Sequence, residues 1–445
     1  MRLLVFHGYM LRGTGSNIYN ANLTRALARL GHEVHLLCQD RETRIEGVEI
    51  HNPDIGSLLP VYVKDPYEGF EVKSFPELSE EELARYIEAN VIAVRAVAER
   101  AGGIDLALAN HLVMGPPIFA RAGIAPYAAK IHGSALEYTV KPNPRFLPYA
   151  EEGMKAAKGV LVGSRHTAES LWEALPDVTG LRGKTRLGPP GVDTEEFSPG
   201  GERSPRVVFV GKLIVSKGVD LLLAAWPLVR ARHPEARLEI AGFGEYEGAL
   251  RDLLAALERG DLGRAGEIAT AGWALEGGVE KPLPILSAFL ADPPAGYAEA
   301  ARDAAGSVEF IGRLEHDEVA RLLPGAEALV MPSTFPEAFG MVAAEAAACG
   351  ALPVSAGHSG MLEVSRQLAA ALPPEVGRLT SFPVEAGAVE AIAARLDGWL
   401  SLPEERREGA REALVETARR LWSWEGVARG VIAAARGELD RLPDA

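Results

Sequence analysis

Ala328-Leu329-Val330-Met331-Pro332 runs into Ser333-Thr334-Phe335-Pro336-Glu337-Ala338-Phe339-Gly340, and then into Met341-Val342-Ala343-Ala344-Glu345-Ala346-Ala347-Ala348-Cys349-Gly350. The first piece is apolar and has the length of a buried parallel strand. The last is alanine-rich, reads as a helix, and is stopped by Gly350. A turn of small residues joins them. Strand, turn and helix start in that order mark where a parallel α/β sheet binds its ligand. Free amides and the positive end of the helix dipole favour a phosphate there.

Two carboxylates flank the turn. Glu337 precedes the helix, and Glu345 lies about one turn inside it, at ~3.6 residues per turn. Neither suits direct contact with an anion. Each can instead accept paired hydrogen bonds from hydroxyls at the two ends of a diphosphate, one end a sugar and the other a ribose. The spacing alone describes equally well a loop glutamate followed by an ordinary helix-surface glutamate.

Outward from this stretch the α/β pattern recurs. Pro205 to Leu213 is an apolar run with Lys212 at its end, and Lys217 precedes Gly218 and an apolar helix. Two cations at one strand-end loop can neutralise a leaving diphosphate, although lysines exposed on any loop look the same. Arg237–Gly244 and Ser307–Leu314 read as further strands with turns. The connection 245–306 between them holds helical pieces, glycine-rich breaks and a proline cluster from Pro282 to Pro294. Structureless loops beyond ~15 residues are unusual in compact domains, so a helical insertion is expected. Its candidate jobs are acceptor recognition, a lid, or contact between copies of the chain.

The first half opens with an apolar run at residues 3–6 and a loop from Gly8 to Ser16 containing Gly13 and Gly15. Ile18, Ala21, Leu23, Ala26, Leu27 and Leu30 then recur at helical spacing, Gly31 ends the helix, and a strand follows. This is a β-α-β unit, and Ser16 as a helix N-cap explains its loop without a ligand. It lacks the G-x-G-x-x-G spacing of dinucleotide sites, which sets NAD aside. Glu80–Arg100 reads as an amphipathic helix. Asp105–His111 and the strand from Pro126 to Ile131 put His111 and His132 at carboxyl ends of strands, where α/β proteins bind ligands. Pro189 to Gly201 is rich in turn formers and reads as the connection between domains.

At 445 residues the chain has room for two ordinary domains. A formal net charge of −15 argues against nucleic acid and anionic membrane surfaces as partners. No apolar run approaches the ~20 residues of a transmembrane segment, and Met1–His7 is too short for a signal peptide. Cys38 and Cys349 read as buried reduced thiols of a cytoplasmic protein. No aspartate pair or His/Cys cluster stands at metal-ligand spacing in the sequence, so neither metal nor cofactor is expected.

Ser333 to Gly350, continued by Gly360-Met361-Leu362-Glu363-Val364, resembles the retaining nucleotide-sugar glycosyltransferases of family 4, which have the GT-B fold. Gly211 to Gly218 is similar to the family pattern G-R-L-x-x-x-K-G. Lys212 stands there in place of arginine, keeping the charge and losing the bidentate fork. Pro189 to Pro199, His132-Gly133-Ser134, Gly312-Arg313-Leu314 and Leu421 to Glu425 are further points of resemblance. The resemblance implies an α/β protein of two Rossmann-like domains facing across a cleft. Residues 1–190 would hold the acceptor and 204–419 the donor, with 245–306 inserted and 420–445 crossing back as a helix onto the first domain. It implies transfer of a sugar from a UDP- or GDP-sugar to a hydroxyl acceptor with retention, and no metal. Lys217 and Lys212 would stabilise the departing phosphate, Glu337 the sugar hydroxyls, Glu345 the ribose, and His132 the reacting sugar. Amides of Phe339, Gly340, Met341 and Val342 would hold sugar and phosphate. Gly13 and Gly15 would approach the diphosphate, and the backbone around Arg313 would read the base. The alternatives are a sugar phosphorylase or nucleotide-sugar epimerase on the same fold, a non-catalytic sugar-nucleotide binder, and an assembly protein acting through 245–306, the region that would also serve a homo-oligomer.

Overall fold

The computed structural model describes every residue except Thr14, Asp65, Pro66 and Glu202. The chain forms two compact units, Met1–Gly191 with Trp422–Ala445, and Val192–Leu421. No helix among the described residues is long and apolar enough to cross a membrane. Cys38 and Cys349 are free and buried, and burial pushes both thiols up to about 12.

In the first unit the strands are β1 (Arg2–Phe6), β2 (Glu33–Leu37), β3 (Val48–His51), β4 (Leu58–Val61), β5 (Glu71–Ser74), β6 (Leu106–Asn110), β7 (Tyr127–Ile131), β8 (Gly159–Val162) and β9 (Thr185–Leu187). β4 and β5 make a small pair. The others form a seven-stranded sheet in the order β3-β2-β1-β6-β7-β8-β9, with parallel pairing. β6 and β7 are buried along their whole length, as expected where helices cover both faces of a parallel sheet. The helix Glu80–Arg100 covers part of one face. It starts at a capping box between Ser79 and Glu82 and carries Glu80, Glu81 and Glu82 in its first turn, where the dipole favours acid.

The order β2, β3 leads outward from β1 in one direction, and β6 then starts on the other side of β1. The carboxyl ends of β1 and β6 therefore flank the point where the winding reverses, the natural crevice of such a sheet. The last helix, Trp424–Arg436, packs within this unit. Its seat requires glycine. A Cβ on Gly191 would come 2.5 Å from the Trp424 indole, and one on Gly159 would come 2.6 Å from the Ala434 carbonyl oxygen.

In the second unit β10 (Arg206–Val210), β11 (Arg237–Ala241), β12 (Val308–Gly312), β13 (Ala328–Met331), β14 (Leu352–Ala356) and β15 (Ser381–Phe382) form a parallel sheet ordered β12-β11-β10-β13-β14-β15. The reversal lies between β10 and β13. The stretch 245–306 folds as the helices Glu247–Glu258, Leu262–Ala271, Pro284–Ala291 and Tyr297–Asp303. It is packed into the unit: buried Tyr297 donates its hydroxyl to the Ala224 carbonyl at 2.7 Å, on the helix Val219–Arg230.

Just before β13, Glu327 is buried and receives both of its Arg411 hydrogen bonds at 2.8 Å from Nη2, with the Trp399 indole N–H at 3.2 Å. Both side chains of the Glu327–Arg411 pair are nearly sealed from solvent, at 6% and 4% exposure. Removing one partner strands a buried charge. Arg411→Ala should therefore cost about 3–5 kcal/mol, read as a lower urea midpoint at unchanged slope. A loss below about 1 kcal/mol would place the pair among surface ion pairs instead.

Candidate functional site

In the second unit the loops after β10 and β13 meet at the reversal of strand order. Lys217 ends a short 3-10 turn, Val215–Lys217, and Gly218 follows at φ 65°. A Cβ on Gly218 would sit 2.1 Å from the Pro332 carbonyl oxygen, so glycine lets the lysine loop lie against the end of β13. The Thr334 amide donates to the Ser216 carbonyl at 2.9 Å and locks the two loops together. Across that junction the Lys217 ammonium is bonded to Glu337 Oε1, both side chains about one quarter exposed. Ser333 Oγ donates to the same Glu337 oxygen at 2.9 Å. The Glu337 backbone is fixed as well: its amide donates to Ser359 Oγ at 2.9 Å, and its carbonyl accepts from the Gly360 amide at 3.0 Å.

Gly340, at φ 111°, precedes the helix Met341–Ala348. The first N–H groups of a helix have no acceptor within it, so the amides of Met341 and Val342 are left without partners in their own helix. The rest of the helix is buried, and its alanines let neighbouring backbones approach closely. Glu345 is buried with them. A buried carboxylate needs a partner, and His316 Nε2 supplies one at 3.0 Å from Oε1. His316 also faces Glu196, with Nδ1 3.9 Å from its Oε2. Burial works against a charge on His316, but the Glu345 hydrogen bond and the surrounding carboxylates outweigh it and raise its pKa. Arg313 lies 4.9 Å and Lys212 6.0 Å from the ring centre of Phe243, so these two cations gather on one aromatic side chain. Arg313 also pairs with Glu315 at 3.0 Å.

In the first unit the loops after β1, β6 and β7 carry a chain of buried polar groups. His132 Nε2 is 2.8 Å from Asn110 Oδ1. The Asn110 amide donates to Asn20 Oδ1 at 2.7 Å, Asn20 Nδ2 meets His7 Nδ1 at 3.0 Å, and His7 Nε2 meets Asn17 Oδ1 at 2.8 Å. Asn17 then donates to the Arg12 carbonyl at 2.6 Å, inside the glycine-rich loop. Gly13 is exposed at φ 91° and Gly15 begins the helix Gly15–Arg29; Thr14 lies outside the described residues. Ser16 is inside that helix and is not its N-cap, which corrects the sequence expectation. His111 is fully buried at φ 67°, with neither ring nitrogen hydrogen-bonded among the described residues. Burial holds it, His7 and His132 neutral, with His7 lowered to about 4. Lys130, buried beneath them, is lowered to about 7 by burial and donates to the Gly188 carbonyl.

Comparison with known proteins gives this geometry a family. The "Glycosyltransferase Family 4" model matches residues 13–196, and the "Glycosyl transferases group 1" models match 204–274 and 298–419. The chain belongs to the family 4, group 1 glycosyltransferases. A D-inositol 3-phosphate glycosyltransferase of Frankia alni is 28% identical over 96% of this chain and 95% of its own length. A GDP-mannose-dependent mannosyltransferase of phosphatidylinositol mannoside from Corynebacterium glutamicum is 27% identical over 53% of this chain and 52% of its own. The chain spans about half the length of several curated relatives it matches. Among solved structures, Anabaena HepE in complex with UDP and glucose superposes with a TM-score of 0.63 at 15% identity, covering 99% of this chain and 100% of that one. The two parallel-sheet units are the GT-B fold.

In this family member the expected donor residues of the second unit fall into two groups, with Glu345 apart from both. Lys217, Glu337, Gly340, Met341, Val342 and Phe339 come together, while Lys212 and Arg313 gather around Phe243. Glu345 lies on the buried side of its helix against His316. His132, Gly13 and Gly15 belong to the other unit. Sequence reading missed His316, Asn17, Asn20, Asn110 and His7. Three asparagines in or beside apolar runs were the available signal, because buried amides need partners.

The His316–Glu345 pair has a pH signature. A histidine whose folded pKa lies above its unfolded value, about 6.5, adds stability that is fully present below that pH and lost as pH rises through the folded value. The melting temperature of wild type relative to His316→Gln should therefore fall as pH rises from about 6.5. A difference that is flat across that range would remove the ion pair.

Proposed function

We propose that this chain transfers a sugar from a nucleotide-diphosphate sugar to a hydroxyl acceptor, with retention at the anomeric carbon. The observation that carries the reading is the Lys217–Glu337 junction at the strand-order reversal of the second unit, beside the first turn of Met341–Ala348. An ammonium has three donors. Lys217 spends one on Glu337 and has two for oxygens of a departing diphosphate. Glu337 keeps an oxygen for sugar hydroxyls, and its ion pair holds both groups in register before the donor arrives. Glu345 likewise keeps Oε2 for a ribose while His316 occupies Oε1. Lys212 and Arg313 add positive charge beside Phe243, on which a base can stack.

As the bond from the anomeric carbon to the phosphate oxygen breaks, the leaving phosphate takes the acceptor's hydroxyl proton and the acceptor's oxygen bonds to the anomeric carbon on the face the phosphate vacates, so configuration is retained with no separate base. Lys217 stabilises the charge that grows on that phosphate, which makes a divalent metal unnecessary. His132 supports the reacting sugar. The first unit binds the acceptor: His111 buries two ring nitrogens without a partner among the described residues, each costing about 1–3 kcal/mol until a hydroxyl or water pairs it. One similar protein is GDP-mannose-dependent and another was solved with UDP and glucose, which supports a nucleotide-sugar donor of either base.

A thermal-shift panel of UDP-, GDP- and ADP-sugars identifies the donor, since a ligand at 100 times its Kd adds ~2.7 kcal/mol. With that donor, Lys217→Ala should lower turnover by ~10²-fold or more. Glu345→Ala should mainly weaken donor binding, and proton NMR of the product should show the donor's anomeric configuration. Unchanged turnover in Lys217→Ala, or an inverted product, would end this reading.

A further inference from the structure

Ligands for a metal are invisible along the sequence when they sit on two strands. Here parallel pairing sets His35 of β2 beside Glu49 of β3, and Leu37 beside His51. Residues two apart on a strand share a face. Glu33, His35, Glu49 and His51 therefore converge on one face at the edge of the seven-stranded sheet, where β3 is the outermost strand. His35 Nδ1 is 3.1 Å from His51 Nε2 and 3.4 Å from Glu49 Oε2, and His51 Nε2 is 3.7 Å from Glu49 Oε1. Among the described residues this is the His/Cys/Asp/Glu group whose ligand atoms all fall within 4.8 Å of one another.

Glu49 turns one carboxylate oxygen to each imidazole, and the three separations are close to those between neighbouring ligand atoms of a tetrahedral ion. Zinc binds imidazole nitrogen and carboxylate oxygen at about 2.0–2.2 Å, which separates neighbouring ligand atoms by roughly 3.3–3.6 Å. The second nitrogen of His35, Nε2, lies 3.2 Å from Glu33 Oε1. That bond places the proton on Nε2 and turns the Nδ1 lone pair toward His51 and Glu49, the carboxylate–histidine arrangement that orients metal ligands. Side-chain exposure is 5% for His35, 12% for His51 and 64% for Glu49. Two imidazoles are thus sheltered, and one open side admits a water as fourth ligand.

We propose that His35, Glu49 and His51 form a binding site for a zinc-like divalent cation, with Glu33 orienting His35. The cation clamps β3, a four-residue edge strand, to β2. It stabilises the first unit and takes no part in sugar transfer. It neither needs nor tests the proposed reaction.

The test uses the full chain stripped with a chelator. Titration with zinc chloride by calorimetry should give one high-affinity ion per chain, and the melting temperature should rise with free zinc. Cobalt(II) should show the intense visible bands of a tetrahedral site. His51→Gln and Glu49→Gln change partly or largely exposed positions that should still fold, and each should weaken zinc binding at least tenfold. Glu33→Gln should weaken it by about 10–100-fold through the orientation of His35. No stoichiometric zinc, or zinc binding that survives both His51→Gln and Glu49→Gln, overturns the proposal. So does a melting temperature that responds to His51→Gln but not to zinc, which would mark a plain imidazole–imidazole hydrogen bond.

Discussion

Gly218 lies so close to the Pro332 carbonyl that no side chain fits between them, and the chemistry of the second unit hangs on that approach. It brings the loop after β10 onto the end of β13. The Thr334–Ser216 bond then fixes the two backbones, and the Lys217–Glu337 pair closes the junction. The approach is possible because β10 and β13 are neighbours in space though more than a hundred residues apart in sequence. Neighbourhood follows from winding: β11 and β12 go one way from β10, and β13 must take the vacant side. Each crossover covers a face of the sheet, and only the carboxyl ends at the reversal are left open to a ligand.

The first unit solves the same geometry with neutral groups. Its loops after β1, β6 and β7 are connected by imidazole and amide hydrogen bonds from His132 to Arg12, and burial keeps the imidazoles uncharged. Neutral, fully paired amides rigidify a crevice without the desolvation cost that a buried ion carries. His111 is the exception, held at a positive φ with neither ring nitrogen hydrogen-bonded among the described residues. Strain and unsatisfied polarity at one residue are the marks of a binding position. The two units thus differ in kind at their reversals, with charged side chains on one and a neutral imidazole–amide chain on the other.

Periodicity made most of the elements legible. Glu80–Arg100 is helical over the residues expected, because a capping box and a clean apolar stripe define both its ends. The run from Ala328 and the alanine helix from Met341 also lie where their composition puts them. The partner of Glu345 was not legible. His316 sits 29 residues earlier, and no local pattern links a histidine after one strand to a glutamate inside a buried helix. The Ser16 cap failed because the helix already begins at Gly15, which places Ser16 inside it. Burial within the fold, which no local pattern announces, lowers Lys130 to about 7.

By itself the sequence determined which segments are strands and helices, that they wind as two α/β repeats, and that small residues, lysines and glutamates gather at strand ends. Those properties are local: periodicity, caps and glycine turns act over a few residues. Tertiary structure alone decided which of these residues meet. Lys217 with Glu337, His316 with Glu345, the asparagine–histidine chain, and His35 with Glu49 and His51 all depend on strand order and register. Register is set by how whole faces bury against the core, and no single stretch of chain contains that information.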